Sequence, residues 1–193
     1  MDTPLRPERV AQLPPRERLI DAAQALFFEQ GIARVTVDAI AALAGSTKMT
    51  LYRHFETKDV LVLEWLRLLT EQYSAVLDDL AARLPDRPTR QLMGFAEFIA
   101  LDLQRAGYRG CPFTNSLAEL ADPQHPARQL IEAHKRRQFQ RIATLCEQAQ
   151  LNEPLDTAQE LTLLLEGAQV VAQNNGMDDV AGQLLRMVRR RLV

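Results

Sequence analysis

The sequence predicts an all-α protein, and three observations indicate that fold class. Apolar residues recur at helical spacing through most of the 193 residues. Proline and glycine residues separate these stretches at short connectors, and no stretch shows the alternation that is typical of strands. The pattern predicts about nine helices, with a group of three in residues 1–57 and a larger helical domain in residues 58–193.

The first predicted helix begins at Pro14-Pro15 and ends at Gly31. Proline is favoured in the first turn of a helix, and glycine is favoured just past its end. The first twelve residues are rich in proline and charge, which predicts a flexible arm. Arg6 and Arg9 in this arm are candidate contacts for a polyanion.

Two short helical patterns follow, joined by a turn that contains Gly45. The Thr36 hydroxyl can cap the first helix by accepting a hydrogen bond from an unpaired backbone N–H group. Ile40 and Leu43 are then predicted to face inward. Glycine suits the turn because it adopts left-handed backbone angles without steric cost. The arrangement predicts a helix-turn-helix, whose second helix enters the major groove of DNA.

The second helix of this pair, capped by Ser46 or Thr47, presents polar and aromatic side chains outward. Leu51 and Phe55 lie one turn apart and anchor it to the core. The outward residues are Thr47, Lys48, Met49, Thr50, Tyr52 and His54. Such groups can hydrogen-bond phosphates and base edges or contact a thymine methyl group, whereas a solvated surface helix is usually richer in Glu and Lys. This face therefore predicts a DNA-binding surface.

Residues 36–55, TVDAIAALAGSTKMTLYRHF, and the following ETKDVL resemble the DNA-binding domain of the TetR family of bacterial transcriptional regulators. The resemblance covers roughly the first third of the chain. It implies that Thr36 and Lys58 contact phosphate. It further implies groove or backbone contacts from the second helix, by Thr47, Lys48, Met49, Tyr52 and His54. Many relatives carry glycine where Met49 stands, so the operator sequence does not follow from the family pattern.

Two residues of this segment have competing interpretations. His54 either contacts DNA or stabilises the end of its helix. Arg53 is favoured in a structural role, as an ion-pair partner of Glu56 or Asp59 that holds adjacent helices together. For the segment as a whole, the alternative is a hairpin of helices whose exposed side chains simply face water. The number and order of the motif elements disfavour that alternative.

The larger domain is predicted from the same signals. A long helix runs from Lys58 to Leu84, after which Pro85 and Pro88 stop it. A loop over residues 107–112 separates the next two helices. The helices on either side of this loop are predicted over residues 92–106 and 113–120. The next helix is predicted over residues 126–151.

The last two helices, on either side of Gly176, carry more apolar surface than one core-facing stripe requires. Two copies of the chain would cover this surface by forming a four-helix bundle with two-fold symmetry. Packing inside one chain is the alternative, and the TetR resemblance favours the dimer. The residues predicted to form the dimer interface are Leu161, Leu165, Ala168, Ala172, Leu184, Leu185 and Val188.

Aromatic and soft apolar residues between these two regions predict a ligand pocket, mainly because the family resemblance implies one. For each of them, packing in the core is the alternative. The candidates are Trp65, Met93, Phe95, Phe98, Tyr108, Phe113 and Phe139, with Asn115 and His134 as polar anchors. The expected effector is a small, largely apolar or aromatic molecule. The predicted function is a homodimeric repressor that such an effector releases from a palindromic DNA operator.

Composition favours a cytoplasmic globular protein. An apolar fraction of 47% suffices for a packed core, and 25% charged residues argues against disorder. Neither a signal peptide nor an apolar run long enough to span a bilayer is recognised. The formal net charge of −2 predicts modest nonspecific DNA affinity. A local basic face can still act, because screening confines surface electrostatics to about 8–10 Å.

Neither a metal nor a cofactor is expected, because the cysteine and histidine residues lack metal-site spacing and no glycine-rich phosphate loop is present. A disulfide between Cys111 and Cys146 is not expected in a reducing compartment. Cys111 is either a packing residue or a redox sensor. Two alternative functions remain, a ligand-independent DNA-binding regulator and a small-molecule enzyme that uses Cys111, His125 or His134.

Overall fold

The computed structural model describes residues 13–105 and 109–193, and these form nine α-helices and no strand. The helices are α1 (Pro15–Gln30), α2 (Val37–Leu43), α3 (Lys48–His54), α4 (Lys58–Arg83), α5 (Pro88–Arg105), α6 (Pro112–Glu119), α7 (Pro126–Gln148), α8 (Pro154–Gln173) and α9 (Val180–Arg191). This confirms the predicted all-α fold for the described ranges. Arg6, Arg9, Gly107 and Tyr108, which entered the predictions above, lie outside them.

The first three helices form a small head around buried side chains. α1 contacts both α2 and α3, and α2 contacts α3. The side chains at the centre are fully or almost fully buried and come from all three helices and the residues beside them, Leu19, Ala23, Val35, Ile40, Leu51 and Phe55. Leu51 and Phe55 therefore anchor α3 as the sequence predicts.

Leu43 does not face inward as predicted. Its side chain is 57% exposed, whereas Ile40 and Ala44 are buried. The inward position one turn after Ile40 lies four residues on, at Ala44, because 3.6 residues complete one helical turn. Leu43 is left on the outer side of the last turn of α2.

The long helix α4 joins the head to the second domain. It contacts α1 in the head and α5 and α7 beyond it. Leu61 and Trp65 are buried near its beginning, and Tyr73 and Leu80 are buried further along. These residues belong to a single continuous cluster of buried apolar side chains that runs from α1 to α9. A displacement of the head therefore has to move side chains that also pack in the second domain.

In the second domain, α5 packs on α9, and α7 packs on α8 and α4. Several prolines that punctuate the sequence begin helices, because proline lacks only a donor that is unpaired in the first turn anyway. Pro88 is one of these, so α5 begins four residues before the predicted start at Leu92. No helix among the described residues is both long and apolar enough to span a membrane.

Candidate nucleic-acid interface and ligand sites

Threonine side chains cap both helices of the helix-turn-helix. The Thr36 hydroxyl accepts a hydrogen bond from the backbone N–H of Ala39 at 3.1 Å. The Thr47 hydroxyl accepts one from the backbone N–H of Thr50 at 3.1 Å, so Thr47 rather than Ser46 caps α3. Each bond satisfies a donor that the helix itself leaves unpaired. The caps fix where α2 and α3 begin and hence how α3 is presented.

The turn between these helices contains Gly45 in a left-handed conformation, with φ of 56°. The backbone N–H of Ser46 donates to the carbonyl of Ala41 at 2.9 Å across the turn. No atom lies within 4 Å of the place where a Gly45 Cβ would stand. The glycine is therefore required by the backbone angle and not by crowding.

The outward face of α3 is open to solvent. Met49 is 75% exposed and Tyr52 is 46% exposed, and Lys48 and His54 are exposed as well. Lys48 Nζ lies 3.0 Å from a carboxylate oxygen of Asp38 on α2, and this hydrogen bond raises the pKa of Lys48. An apolar side chain as exposed as Met49 gains most when a partner surface covers it. The face combines a cation, a phenol and an apolar group on a short, rigid helix.

Lys58 lies at the beginning of α4, and its ammonium group donates to the backbone carbonyl of Ile32 at 2.6 Å. The bond ties α4 to the connection between α1 and α2. Since an ammonium group has three N–H donors, two remain for a phosphate. Sequence analysis identified Lys58 only as a phosphate contact and missed this internal role.

Arg53 and His54 are both exposed at the end of α3. No ion pair joins Arg53 to Glu56 or Asp59 in the described part of the chain, so the favoured structural role of Arg53 is wrong. Both side chains instead extend the open face of α3 towards its C-terminal end. His54 lies beside the buried Phe55, with their ring centroids 6.5 Å apart.

A charged cluster joins α1 to α4 behind this face. The Glu64 carboxylate accepts hydrogen bonds from Arg67 at 2.9 Å and from Arg16 at 2.5 Å. These bonds, with that of Arg67 foremost, lower the pKa of Glu64 to about 2. The Arg16 guanidinium also lies 5.3 Å from the centre of the Phe55 ring. Arg16 on α1 therefore contacts both Phe55, which anchors α3, and Glu64 on α4.

Glu119, at the end of α6, holds the head from the side of the second domain. Its two carboxylate oxygens accept hydrogen bonds from the backbone N–H groups of Ile32 at 3.1 Å and Ala33 at 2.6 Å. Gly31 precedes these residues with φ of 83°, and a Cβ there would lie 2.7 Å from a Glu119 oxygen. Sequence reasoning missed Glu119, because no local pattern marks a contact between residues 86 positions apart.

The predicted ligand residues do not line one common cavity. Trp65 and Phe98 line a cleft of about 530 Å³ between α1, α4 and α5. Phe95 and His134 line a separate cavity of about 100 Å³ between α4, α5 and α7. The indole Nε1 of Trp65 and the Nε2 of His134 are buried without a hydrogen-bond partner among the described residues.

Phe113 is fully buried in an aromatic cluster at the centre of the second domain. Its ring centre lies 5.1 Å from that of Tyr73 and 4.6 Å from that of His134. Burial, with a smaller contribution from the nearby positive charges of Lys135 and Arg137, lowers the pKa of His134 to about 4. The imidazole is thus neutral near pH 7.

The remaining described candidates line neither of these two cavities. The Asn115 amide donates to the carbonyl of Arg109 at 2.9 Å, and Phe139 is half-buried against the core. Met93 is buried in the core.

Cys111 is a buried free thiol next to a partly buried ion pair. Lys135 Nζ lies 3.6 Å from Cys111 Sγ and 2.5 Å from a Glu166 oxygen. The cation beside the thiol is Lys135. In the described ranges no group of three or more metal-ligating side chains comes together.

The structure corrects the residues chosen for a dimer interface. Leu161, Leu165, Ala172, Leu184 and Val188 are buried inside one chain, and only Ala168 and Leu185 retain partial exposure. Buried side chains are not available to a second copy. The periodic pattern identified the inward faces of α8 and α9, which pack on each other and on α5.

Comparison with known proteins decides the family. A model of the tetR family of bacterial regulatory proteins matches residues 19–65. A TetR-family transcriptional regulator of known structure from Streptomyces coelicolor is 30% identical, with a TM-score of 0.85. The match covers 92% of this chain and 94% of that one. The chain belongs to the TetR family of bacterial transcriptional regulators.

Two curated relatives agree with this assignment. The HTH-type transcriptional regulator YjdC of Escherichia coli is 24% identical over 152 residues, which cover 79% of this chain and 80% of that protein. The HTH-type transcriptional repressor KstR2 of Rhodococcus jostii is 34% identical over 88 residues, or 45% and 43% of the two chains. This TetR-family protein is thus a DNA-binding transcriptional regulator. The alternative of an enzyme that uses Cys111, His125 or His134 is excluded.

Proposed function

We propose that this TetR-family regulator is a homodimeric repressor that leaves a palindromic operator when a small ligand binds. The exposed face of α3 carries the proposal, because Lys48, Met49 and Tyr52 project from a doubly capped and buried scaffold. One relative, KstR2 of Rhodococcus jostii, is a transcriptional repressor, which favours repression over activation.

Specific roles follow from the chemistry of the exposed groups. Lys48 can donate to a guanine edge and Met49 can contact a thymine methyl group, so these two residues read sequence. Tyr52, Thr36 and Lys58 donate to phosphates, which positions the head without selecting a base. Thr47 and His54 are proposed to contact DNA at the two ends of α3.

The dimer is proposed to form through an exposed apolar stripe on α8 and the neighbouring part of α9. Leu163 is 73% exposed, and Val170 and Met187 are also exposed. No atom lies within 4 Å of the position of a Gly167 Cβ, which leaves room for a second helix to approach closely. Covering these side chains would remove apolar surface from water in both copies.

Ligand control is proposed to act through the junction between the head and the second domain. Glu119 on α6 accepts a hydrogen bond from the backbone N–H of Ile32, and Lys58 on α4 donates one to the carbonyl of the same residue. Phe113 lies in the first turn of the same helix α6 and is packed in the aromatic cluster. A ligand that shifts α6 would therefore alter the placement of the head, and a coupling free energy of about 1–3 kcal/mol suffices for a switch.

Selection of bound sequences from random DNA tests the proposal. We expect two inverted half-sites whose centres lie about 34–36 Å or a multiple of this apart. Tyr52→Ala should weaken binding to all selected sequences alike, whereas Met49→Ala should change the preferred base at one position of each half-site. Gln140→Ala, on the exposed side of α7, is the matched control and should leave both properties unchanged.

Other outcomes would contradict particular parts of the proposal. Selection of a single, unrepeated site by a monomer would refute the dimeric mode of binding. Tight operator binding that no compound in a metabolite panel releases would favour the ligand-independent regulator. A reporter gene placed downstream of the selected operator tests the direction of regulation. Reporter transcription that requires the protein would show that it is an activator and would contradict repression.

A further inference from the structure

The cleft between the head and the second domain has a chemical character that none of the comparisons assigns. One wall is the outer face of α1, with Asp21 and Phe28. The opposite walls come from α4 and α5, with Trp65, Phe98 and Asp102. Its volume of about 530 Å³ lies in the range of small-molecule sites.

The described lining of the cleft carries negative charge. Asp21 and Asp102 are the charged residues among the lining side chains that the structure describes, and these include no Lys, Arg or His. Asp21 forms no ion pair or hydrogen bond with a described residue. Asp102 accepts a hydrogen bond from the neutral Tyr73 hydroxyl at 2.9 Å, which leaves its charge in place. Two carboxylates on facing helices therefore attract a cation placed between them.

Four of the remaining lining residues are aromatic. Phe28, Trp65, Tyr73 and Phe98 contribute ring surfaces from three different helices. The faces of such rings attract cations, most strongly where water is excluded. Trp65 is only 2% exposed, and its indole N–H has no acceptor among the described residues. A buried donor without an acceptor is uncommon in folded proteins.

We propose that this cleft binds a lipophilic organic cation, an aromatic ring system that carries a quaternary or protonated nitrogen. The carboxylates select the charge, and the rings bind the apolar body. The consequence for DNA rests on the function proposed above, since α1 forms one wall and packs directly on α2 and α3. A cation that contacts both Asp21 on α1 and Asp102 on α5 links the head to the second domain and fixes one orientation between them.

Tetraphenylphosphonium and tetraphenylborate test the inference as a pair, because they have the same shape and opposite charge. The chain contains one tryptophan, Trp65, so its fluorescence reports directly on the cleft. We expect tetraphenylphosphonium to change this fluorescence saturably and tetraphenylborate to leave it unchanged. Asp21→Asn and Asp102→Asn should each weaken binding about five-fold or more. Asp156→Asn, an exposed carboxylate on α8, is the matched control and should bind as the unaltered chain does.

Equal binding of both probes, or unchanged binding to the Asp21→Asn variant, would overturn the inference. Asp21 lies on the surface, so this variant is expected to fold even if Asp102→Asn disturbs the core. A fluorescence titration without a saturable change would overturn it as well. Operator affinity measured with saturating tetraphenylphosphonium separates the two proposals. If tetraphenylphosphonium binds saturably and operator affinity is unaltered, the result supports the cation site and contradicts release of DNA by this ligand. If a neutral compound releases DNA and Asp21→Asn has no effect, the result supports ligand release and contradicts the cation site.

Discussion

Glu119→Gln is expected to loosen the attachment of the head without disturbing either domain. Glutamine has nearly the size of glutamate but offers one acceptor oxygen in place of two. One of the N–H groups of Ile32 and Ala33 would then face an amide that donates and does not accept. A hydrogen bond to a charged group contributes about 1.5–3 kcal/mol when buried. Since Ala33 is exposed, we expect a loss of about 1–2 kcal/mol at this contact.

Hydrogen exchange measures this loss at the two amides concerned. A decrease of about 1–2 kcal/mol in the free energy of local opening corresponds to exchange about 5- to 30-fold faster. The acceleration should be confined to residues 32 and 33 and their neighbours in the connection between α1 and α2. Glu97→Gln, an exposed carboxylate on α5, serves as the control and should leave both amides as protected as before.

Unchanged exchange at both amides in the Glu119→Gln protein would refute the role of Glu119 as a clamp. Uniform acceleration throughout α6 and the second domain would indicate general destabilisation instead, and would equally contradict the reasoning. If the clamp acts as described, the variant should also bind the operator with an affinity that depends less on ligand. The dependence on ligand should decrease because the variant lacks the two charge-assisted hydrogen bonds through which a shift of α6 would displace Ile32 and Ala33.

Three further predictions concern other parts of the molecule. His134 has a pKa of about 4, below its ordinary value of 6.5, so the unfolded chain binds more protons between these values. The free energy of unfolding, measured with urea, should therefore fall as the pH decreases from about 6.5 to 4, by at most about 3 kcal/mol, and His134→Phe should flatten this dependence. Leu163→Glu should convert the proposed dimer to a monomer in light scattering, whereas Leu101→Glu, equally a change at an exposed leucine, should not. Thr47→Ala should cost about 1 kcal/mol in thermal unfolding and weaken operator binding, and unaltered values would refute its role as a cap.

Local patterns were sufficient to predict the helices and the presented face of α3. The caps at Thr36 and Thr47 depend on residues three positions away, and the burial of Leu51 and Phe55 depends on a spacing of one turn. Each of these interactions lies within the reach of a short stretch of sequence. The same is true of Gly45, because a tight turn with a left-handed residue is encoded where it occurs.

Contacts between distant parts of the chain could not be predicted in this way. Periodicity showed that α8 and α9 have apolar faces, but it could not show that Leu161 and Leu184 face the core while Leu163 faces outward. The position of Glu119 against Ile32 depends on how α6 packs, which no local pattern contains. For the same reason, Trp65 and Phe98 line one cavity, Phe95 and His134 line another, and the other predicted ligand residues that the structure describes line neither.

The junction of the head and the second domain is where small energies can have large effects. Glu119, Lys58 and the pair of Arg16 and Glu64 each hold the head by hydrogen bonds to charged groups. A bond of this kind contributes about 1.5–3 kcal/mol when buried and less when exposed. The coupling needed to change DNA affinity about 5- to 150-fold is about 1–3 kcal/mol. Under the proposed mechanism, a ligand therefore does not need to unfold the continuous core in order to change DNA affinity. Making or breaking one of these contacts, or adding one across the cleft beside Asp21, is sufficient to change the preferred orientation of the head.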